Sequence, residues 1–190
     1  MPGRYLKFVK GNFYHVYNRG ANKQKIFFET DNYLYLLKLL NKNTTKYCLT
    51  VIAYCLMPNH YHLLLRVDGE KDLSRCISTT FNSYVQAINK RYDRASSLFL
   101  ERFKAIHIDK EAYLLHLCRY IHLNPINAQL IANLEDWPFS NYLEFIGKRN
   151  GTFFERVFFQ KHFGNCDAYY DFVHDVSIQP PENFGDYLFE

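Results

Sequence analysis

The stretch "LMPNHYHLLLRV", residues 56–67, combines a turn signal with a short apolar run that carries two histidines. Pro58-Asn59 predicts a tight turn, and the eight residues that follow it predict a strand. The segment that leads into the turn, residues 48–57, is an apolar run with β-branched residues, which predicts a second, buried strand. The two strands would form a hairpin at the centre of the fold.

His60 and His62 lie two residues apart in the second of these strands. Side chains at i and i+2 point to one face of a strand, so both imidazoles would project together while Tyr61 packs on the other side. Two imidazoles on one strand face are a ready pair of ligands for a divalent metal. The same pattern also describes two ordinary hydrogen-bonded strand histidines, and the pair alone does not decide between them.

Strands and helices alternate along the first two thirds of the chain. Residues 12–18 alternate between aromatic and polar types, which predicts a first strand, and residues 102–108 predict a last one. We expect the final helix of this part to stop before Pro125, because proline disfavours helical continuation from the residue before it. Apolar residues spaced three and four apart predict three helices, over residues 29–47, 71–93 and 110–124.

The resulting order, β-α-β-β-α-β-α, predicts an α+β fold of the ferredoxin-like type. In this split β-α-β arrangement the strands form one antiparallel sheet, and two helices pack on one of its faces. From Pro125 onward the sequence predicts short C-terminal helices joined by short loops.

Composition restricts the class of protein. The 190 residues are 48% hydrophobic, enough for one domain with a packed core, and the net charge of +4 is compatible with a polyanionic partner. The sequence contains no run of about 18 apolar residues to span a membrane, and its N-terminus lacks an apolar signal core. Five scattered cysteines indicate reduced thiols and neither a disulfide framework nor a zinc site. We therefore expect a cytoplasmic protein without membrane association.

Tyr120 and Asn124, in the segment "CRYIHLNP", are four residues apart and share one face of the predicted third helix. A tyrosine phenol, with an ordinary pKa of about 10, becomes a nucleophile only if a neighbour takes its proton or favours the phenolate. An asparagine can add an amide oxygen to a metal site. Taken singly, Tyr120 is better explained as core filler and Asn124 as a helix C-cap.

These segments together resemble a known family. "YCLMPNHYHLLLRV", residues 54–67, resembles the HUH motif (histidine, hydrophobic residue, histidine) of the single-tyrosine transposases. "LCRYIHLNPINAQLI", residues 117–131, resembles the tyrosine helix of their REP-associated branch. Three further stretches match in the same order, so that the resemblance covers about residues 12–147: "YHVYNRGANKQKIFF", "SLFLERFKAIHID" and "DWPFSNYLEF".

The resemblance implies a metal-dependent tyrosine transposase, an enzyme that nicks and joins DNA. His60, His62 and Asn124 would hold a divalent metal, Mg²⁺ or Mn²⁺. Tyr120 would cleave single-stranded DNA with hairpin structure through a 5′-phosphotyrosine intermediate, either for DNA transposition or for the processing of repeated palindromes. The resemblance also implies a homodimer, in which tyrosine and histidines of one site sometimes come from different subunits.

The resemblance also implies the domain organisation. Residues 1–149 would form the catalytic domain, and residues 150–190, where the resemblance fades, would form an aromatic-rich helical tail packed on it.

The sequence departs from the family motif at one place. The family's Pro-Val-Arg-Ala is replaced here by Pro125-Ile126-Asn127-Ala128. The missing arginine removes a bidentate donor, which puts DNA affinity or substrate choice in question more than the chemistry.

Basic residues and further histidines accompany these motifs. Proteins hold single-stranded nucleic acid in a basic groove with stacking aromatic residues. His107 and His116 are candidates for the outer shell of the metal site, although a surface or hydrogen-bonded role explains both, and His15 is interpreted as structural. The cations that could line a DNA groove, each equally typical of a solvated face, are Arg19, Lys23, Arg91, Arg102, Lys104 and Arg119.

Two other functions fit parts of the pattern. A non-catalytic ferredoxin-like module that binds single-stranded nucleic acid would use the same sheet, but it leaves the histidines, the tyrosine and the asparagine as a coincidence. A phosphoesterase that uses its histidines as acid and base would need a second equivalent histidine motif, which we do not find in the sequence. The enzyme with a tyrosine nucleophile accounts for all four residues.

Overall fold

A four-stranded antiparallel sheet forms the centre of this computed structural model, which describes residues 6–70 and 72–188. The first five residues of the N-terminal stretch that was expected to lack a signal sequence lie outside the described residues, as do Lys71 and the last two residues of the tail. The strands are β1 (Phe13–Arg19), β2 (Leu49–Met57), β3 (His60–Val67) and β4 (Lys104–Ile108), and they are arranged in the order β2-β3-β1-β4.

Six α-helices are found along the described part of the chain. The order of the first seven elements is β-α-β-β-α-β-α, so the predicted α+β fold with an antiparallel sheet is confirmed. No helix within the described ranges is both long and apolar enough to cross a membrane. The helices are α1 (Thr30–Tyr47), α2 (Leu73–Arg91), α3 (Glu111–Asn127), α4 (Tyr142–Phe145), α5 (Arg156–Phe163) and α6 (Cys166–His174).

One face of the sheet is covered by α1 and α2. The apolar core on this side joins the alternate residues of the strands that point towards these helices, including Val16 of β1 and Leu63 of β3. Tyr61 is buried here and stacks on Phe81 of α2 with ring centroids 4.1 Å apart, as the alternation of β3 predicted. The neighbours of Tyr61 in sequence therefore point to the opposite face.

Helix α3 packs on that opposite face. Its apolar side, which includes Leu117 and Ile121, meets Cys55 of β2 and Leu64 of β3 in a second core. We had expected α3 to end before Pro125, and this prediction was wrong, because the helix continues to Asn127. The proline lies in the last turn and removes only its own N–H, while Ala128 still donates to the Asn124 carbonyl at 2.9 Å.

The C-terminal segment is packed against α3 and α4 by a third core. This core joins aromatic residues on both sides of residue 150, with Tyr142 and Phe145 of α4 against Phe159 of α5 and Tyr169 of α6. The Tyr169 hydroxyl also reaches Nδ1 of the buried His122 on α3, at 2.5 Å. The tail therefore supports the side of α3 that faces away from the sheet.

Asn141, which immediately precedes α4, joins β2, α3 and the C-terminal segment through one buried amide. Its Oδ1 accepts from the Tyr54 N–H at 2.7 Å and from Nε2 of His122 at 2.9 Å. Its Nδ2 donates to the carbonyls of Ile52 at 2.8 Å and Phe153 at 3.0 Å. Because backbone groups fix both ends of the amide, the position of α3 over the sheet is specified by hydrogen bonds as well as by apolar packing.

Candidate active site

The two histidines of β3 share one face of the sheet, as the sequence predicted, and it is the face that α3 covers. In the pairing of β3 with β1, His62 is opposite Tyr17 and His60 is opposite Arg19. Both imidazoles are buried, His62 completely, and their ring centroids are 5.1 Å apart. Since directly opposed residues of neighbouring strands share a face, β1 adds a tyrosine and an arginine to the same surface.

Helix α3 brings the other two predicted residues to this surface. The Tyr120 ring meets the His62 ring edge-on, with centroids 5.5 Å apart. One turn later, Oδ1 of Asn124 lies 3.4 Å from Nε2 of His60. Nδ2 of Asn124 donates to the Tyr120 carbonyl at 2.9 Å, which fixes the orientation of the amide. The four residues singled out in the sequence therefore meet at one place.

Asn59 determines which nitrogen of His60 carries the proton. Nδ2 of Asn59 donates to the Lys23 carbonyl at 3.3 Å, so that its Oδ1 faces Nδ1 of His60 at 2.6 Å. An amide oxygen only accepts hydrogen bonds, so Nδ1 of neutral His60 holds the proton and Nε2 presents a lone pair. This lone pair faces Oδ1 of Asn124, which is also an acceptor. Two opposed acceptors need a cation or a proton between them.

Burial keeps the imidazoles of His60 and His62 in their neutral form. Desolvation lowers the pKa of His60 to about 4, and the charge of Arg19 adds to this effect. The Asn124 side chain opposes it, because its amide oxygen can accept a hydrogen bond from the protonated imidazole. Desolvation also holds the pKa of His62 well below its ordinary value, and the neighbouring imidazoles of His15 and His60 add to the effect. Neutral imidazoles are the form that binds metals.

The donor atoms fit a divalent metal in chemistry and in spacing. Two ligands each about 2.1 Å from one ion lie about 3.0–3.4 Å apart, and the distance between His60 Nε2 and Asn124 Oδ1 is 3.4 Å. Within residues 6–70 and 72–188, no cluster of three or more His, Cys, Asp or Glu side chains is arranged to hold a metal. The candidate set is therefore two imidazoles and one amide oxygen, which suits several divalent ions.

His15 also belongs to this cluster, whereas the sequence pattern alone indicates a structural role for it. It is completely buried, and its Nε2 lies 3.0 Å from Nδ1 of His62. The Tyr17 ring lies against both imidazoles, with centroids 4.8 Å from His15 and 6.1 Å from His62. The spacing of His15 and Tyr17 in β1 signalled a common strand face, but only the pairing of β1 with β3 identifies it as the face of the histidine pair.

Three of the predicted cations lie beside the histidine pair. Arg19, Lys23 and Lys104 line one pocket together with Tyr17. Arg19 is opposite His60 in the sheet, and Lys104 of β4 is opposite Tyr17. Positive charge therefore borders the site along β1 and the edge strand β4.

Two of the predicted cations lie elsewhere. Arg91, at the end of α2, forms ion pairs with Glu29 at 2.6 Å and Asp31 at 3.5 Å. Arg102 is exposed and lines a separate pocket against α2, which includes Phe81 and Phe99. Neither side chain is brought to the histidine pair.

The two candidate outer-shell histidines are also not brought to the site. His107 of β4 is opposite Tyr14, and the two rings lie 5.2 Å apart. Tyr14 and His15 are adjacent in β1 and point to opposite faces, so His107 lies on the side away from the histidine pair. His116 lies against the C-terminal segment, with its ring 5.6 Å from Phe172.

Arg119, the neighbour of Tyr120, also points to the C-terminal segment. Its guanidinium donates to three backbone carbonyls, those of Val173 at 3.1 Å, Asp175 at 2.8 Å and Ile178 at 3.1 Å. The side chain thereby ties the tail to the helix that carries Tyr120.

The family profile and the fold together place this chain among the HUH-type transposases. A profile of the IS200-like transposases matches residues 9–124, and the chain belongs to this family. Membership makes it a transposase-like, DNA-processing enzyme, in a family that generally uses a divalent metal.

The fold of this chain is found in a solved structure of a transposase. The chain is similar to a REP-associated tyrosine transposase that was determined bound to a REP hairpin, with 18% identity, a TM-score of 0.66 and coverage of 82% of this chain and 98% of that one. It is also similar to a transposase candidate from Deinococcus radiodurans R1, with 15% identity, a TM-score of 0.43 and coverage of 64% and 95%. Among curated proteins no significant match is found.

Proposed function

We propose that this chain is a metal-dependent transposase that cleaves and rejoins single-stranded hairpin DNA through a covalent link to Tyr120. The observation that carries the proposal is the pair of opposed acceptors, His60 Nε2 and Asn124 Oδ1, at 3.4 Å beside the tyrosine. Two lone pairs at this distance repel each other unless a cation lies between them. Tyr120, the residue that matches the nucleophile of the family, is in ring contact with His62. Similarity of fold to a transposase bound to a REP hairpin supports hairpin DNA as the substrate.

Tyr120 would act as the nucleophile. Its phenolic oxygen attacks a backbone phosphorus, the bond from phosphorus to the 3′ oxygen breaks, and a 5′-phosphotyrosine forms. The proton of the phenol passes to solvent, and the departing 3′ oxygen takes up a proton to become a hydroxyl. Attack of a 3′-hydroxyl on the phosphotyrosine reverses these steps and releases the tyrosine. The energy of the phosphodiester is retained throughout, so no nucleotide cofactor is needed.

His60, His62 and Asn124 would hold the metal, which when bound would polarise the phosphate and neutralise charge that repels the attacking oxygen. The same residues position the nucleophile. The Asn124 amide is bonded to the Tyr120 carbonyl at 2.9 Å, so a metal ligand and the nucleophile share one turn of helix. The phenol ring and the His62 ring pack edge to face, which restricts rotation of the phenol.

The fold of a single chain already brings Tyr120 to the histidine pair. Tyr120 and His62 are in ring contact within this chain, with centroids 5.5 Å apart. This proximity supports cleavage in cis, in which the histidines and the tyrosine of one subunit act together. In the homodimer that we propose for this protein, the second copy would then duplicate the site and would not be needed to complete it.

The cationic pocket beside the histidine pair is the proposed path of the DNA backbone. Arg19 and Lys23 are contributed by the end of β1 and the loop after it, and Lys104 by β4. A phosphate at the metal would have its neighbours within reach of these side chains. Their charge would favour the strand without reading its sequence.

Removal of the Lys104 charge is expected to weaken DNA binding and its dependence on salt. In Lys104→Ala, the slope of log K against log salt concentration should decrease by about 0.7 for the lost phosphate contact on single-stranded DNA. Fluorescence anisotropy with a labelled hairpin at several salt concentrations measures this slope. Lys42→Ala removes an exposed charge from α1, on the other side of the sheet, and should leave the slope unchanged. Equal changes in the two variants would contradict the proposed path.

A denaturing gel tests the proposed chemistry. Single-stranded hairpin oligonucleotides from the protein's own genomic neighbourhood, labelled at the 5′ or the 3′ end, are incubated with Mn²⁺ or with EDTA. We expect a covalent protein–DNA adduct that carries the 3′ label and a released 5′-labelled fragment, only with the metal. An adduct that carries the 5′ label would contradict the 5′-phosphotyrosine. Binding without an adduct, across several hairpins and metals, would favour a non-catalytic binding module.

A further inference from the structure

His15 and His62 form a hydrogen bond between two completely buried imidazoles. Nε2 of His15 lies 3.0 Å from Nδ1 of His62, and the two ring planes differ by 21°. In the register of β1 with β3, His15 is opposite Leu64 and His62 is opposite Tyr17. The two histidines are therefore diagonal neighbours on one sheet face, at a separation that long side chains can bridge.

The bond permits two arrangements of the protons when both imidazoles are neutral. If His15 donates from Nε2, then Nδ1 of His62 accepts and the single proton of His62 is on its Nε2. If His62 donates from Nδ1, then Nε2 of His62 presents a lone pair instead. Only the second arrangement lets this nitrogen bind a metal ion.

His60 shows the corresponding arrangement. Oδ1 of Asn59 accepts the Nδ1 proton of His60 at 2.6 Å, and Nε2 faces Asn124. Histidines that bind metals generally donate their second ring N–H to an outer partner, which fixes both the tautomer and the direction of the ring. The partner of His60 is its neighbour in sequence, whereas the partner of His62 comes from the adjacent strand.

We infer that His15 is a positioning residue, which accepts the Nδ1 proton of His62 and so keeps Nε2 of His62 available to a divalent cation. The inference rests on the proposed metal site. A residue that only fills the core beside Tyr17 and Ile106 would not need an acceptor atom at this point, and phenylalanine would serve as well. A ring nitrogen 3.0 Å from Nδ1 of His62 supplies the acceptor that the metal-binding tautomer of His62 requires.

The tautomer of His62 can be measured in the metal-free, full-length protein. Long-range proton–nitrogen correlation spectra of the imidazole side chains distinguish a protonated ring nitrogen from one with a lone pair. We expect wild-type His62 to hold its proton on Nδ1. In His15→Phe, which keeps a ring but lacks the acceptor, the proton should move in part to Nε2. A wild-type His62 protonated on Nε2 would overturn the inference even if no variant folds.

Titration with Mn²⁺, followed by the electron paramagnetic resonance of the free ion, gives the consequence for metal affinity. We expect His15→Phe to bind about 10–100-fold more weakly than wild type, the range for loss of an outer-shell partner. His15→Gln, whose amide oxygen can accept the same proton, should recover part of this loss. His107→Phe, on the other face of the sheet, should bind as wild type does.

A fourth variant separates failure of this inference from failure of the proposed metal site. His60→Ala removes a proposed ligand and should lose Mn²⁺ binding. If it binds as tightly as wild type, the metal site itself is wrong. If His60→Ala loses binding but His15→Phe keeps both the affinity and the His62 tautomer of wild type, the metal site stands and His15 is a packing residue.

Discussion

Tyr120→Phe is expected to abolish adduct formation and strand cleavage while hairpin binding stays close to wild type. The substitution removes only the phenolic oxygen, and the ring that lies 5.5 Å from His62 is kept, so the site should retain its packing and its metal. Removal of a covalent nucleophile costs at least about a thousandfold in rate in enzymes where it has been measured. Cleavage of the labelled hairpin with Mn²⁺ and its binding by anisotropy, measured side by side, check both halves of the expectation.

Tyr113→Phe is the matched control, because it changes the same atom on the same helix. The Tyr113 hydroxyl donates to the Glu182 carbonyl at 2.7 Å, away from the histidine pair, so cleavage should continue at the wild-type rate. If Tyr120→Phe still nicks the hairpin as wild type does, another residue is the nucleophile. Tyr17, whose ring lies 6.1 Å from His62, would then be the next tyrosine to replace.

Local patterns in the sequence predicted the central features of the site. The turn at Pro58-Asn59 and the apolar run after it determine where β3 begins, and strand alternation then places His60 and His62 on one face. The spacing of Tyr120 and Asn124 places them on one side of α3 in the same way. These inferences hold because each depends on residues close together in the chain, where backbone geometry alone sets the direction of a side chain.

Features that depend on contacts between distant segments could not be predicted in this way. His15 and His107 each lie in a predicted strand, but which of them shares the face of His62 depends on strand order and register. The register places His15 diagonally next to His62 on one face of the sheet, and it places His107 on the opposite face. The end of α3 was misjudged for a related reason, because the cost of Pro125 in the last turn is offset by packing that the local sequence does not show.

Asn141 is expected to be among the most sensitive positions for stability, although it has no place in the proposed chemistry. In Asn141→Leu the branching of the side chain is kept, but the Tyr54 N–H, the Ile52 carbonyl and His122 lose their buried hydrogen-bond partner. Each buried polar group without a partner costs about 1–3 kcal/mol, so the free energy of unfolding should fall by at least about 3 kcal/mol. Urea unfolding, followed by circular dichroism, measures the change.

Asn133→Ala is the control for this prediction, because it removes an asparagine from the same region at an exposed position. Asn133 accepts one hydrogen bond, from the Glu135 N–H at 3.1 Å, and its loss should cost about 1 kcal/mol or less. A loss below 1 kcal/mol in Asn141→Leu would mean that water or a shift of α3 supplies new partners.

Since α3 carries Tyr120 and Asn124, such a shift would also move the nucleophile relative to His60 and His62. Mn²⁺ affinity of the variant then distinguishes a shifted helix, which changes it, from added water, which does not.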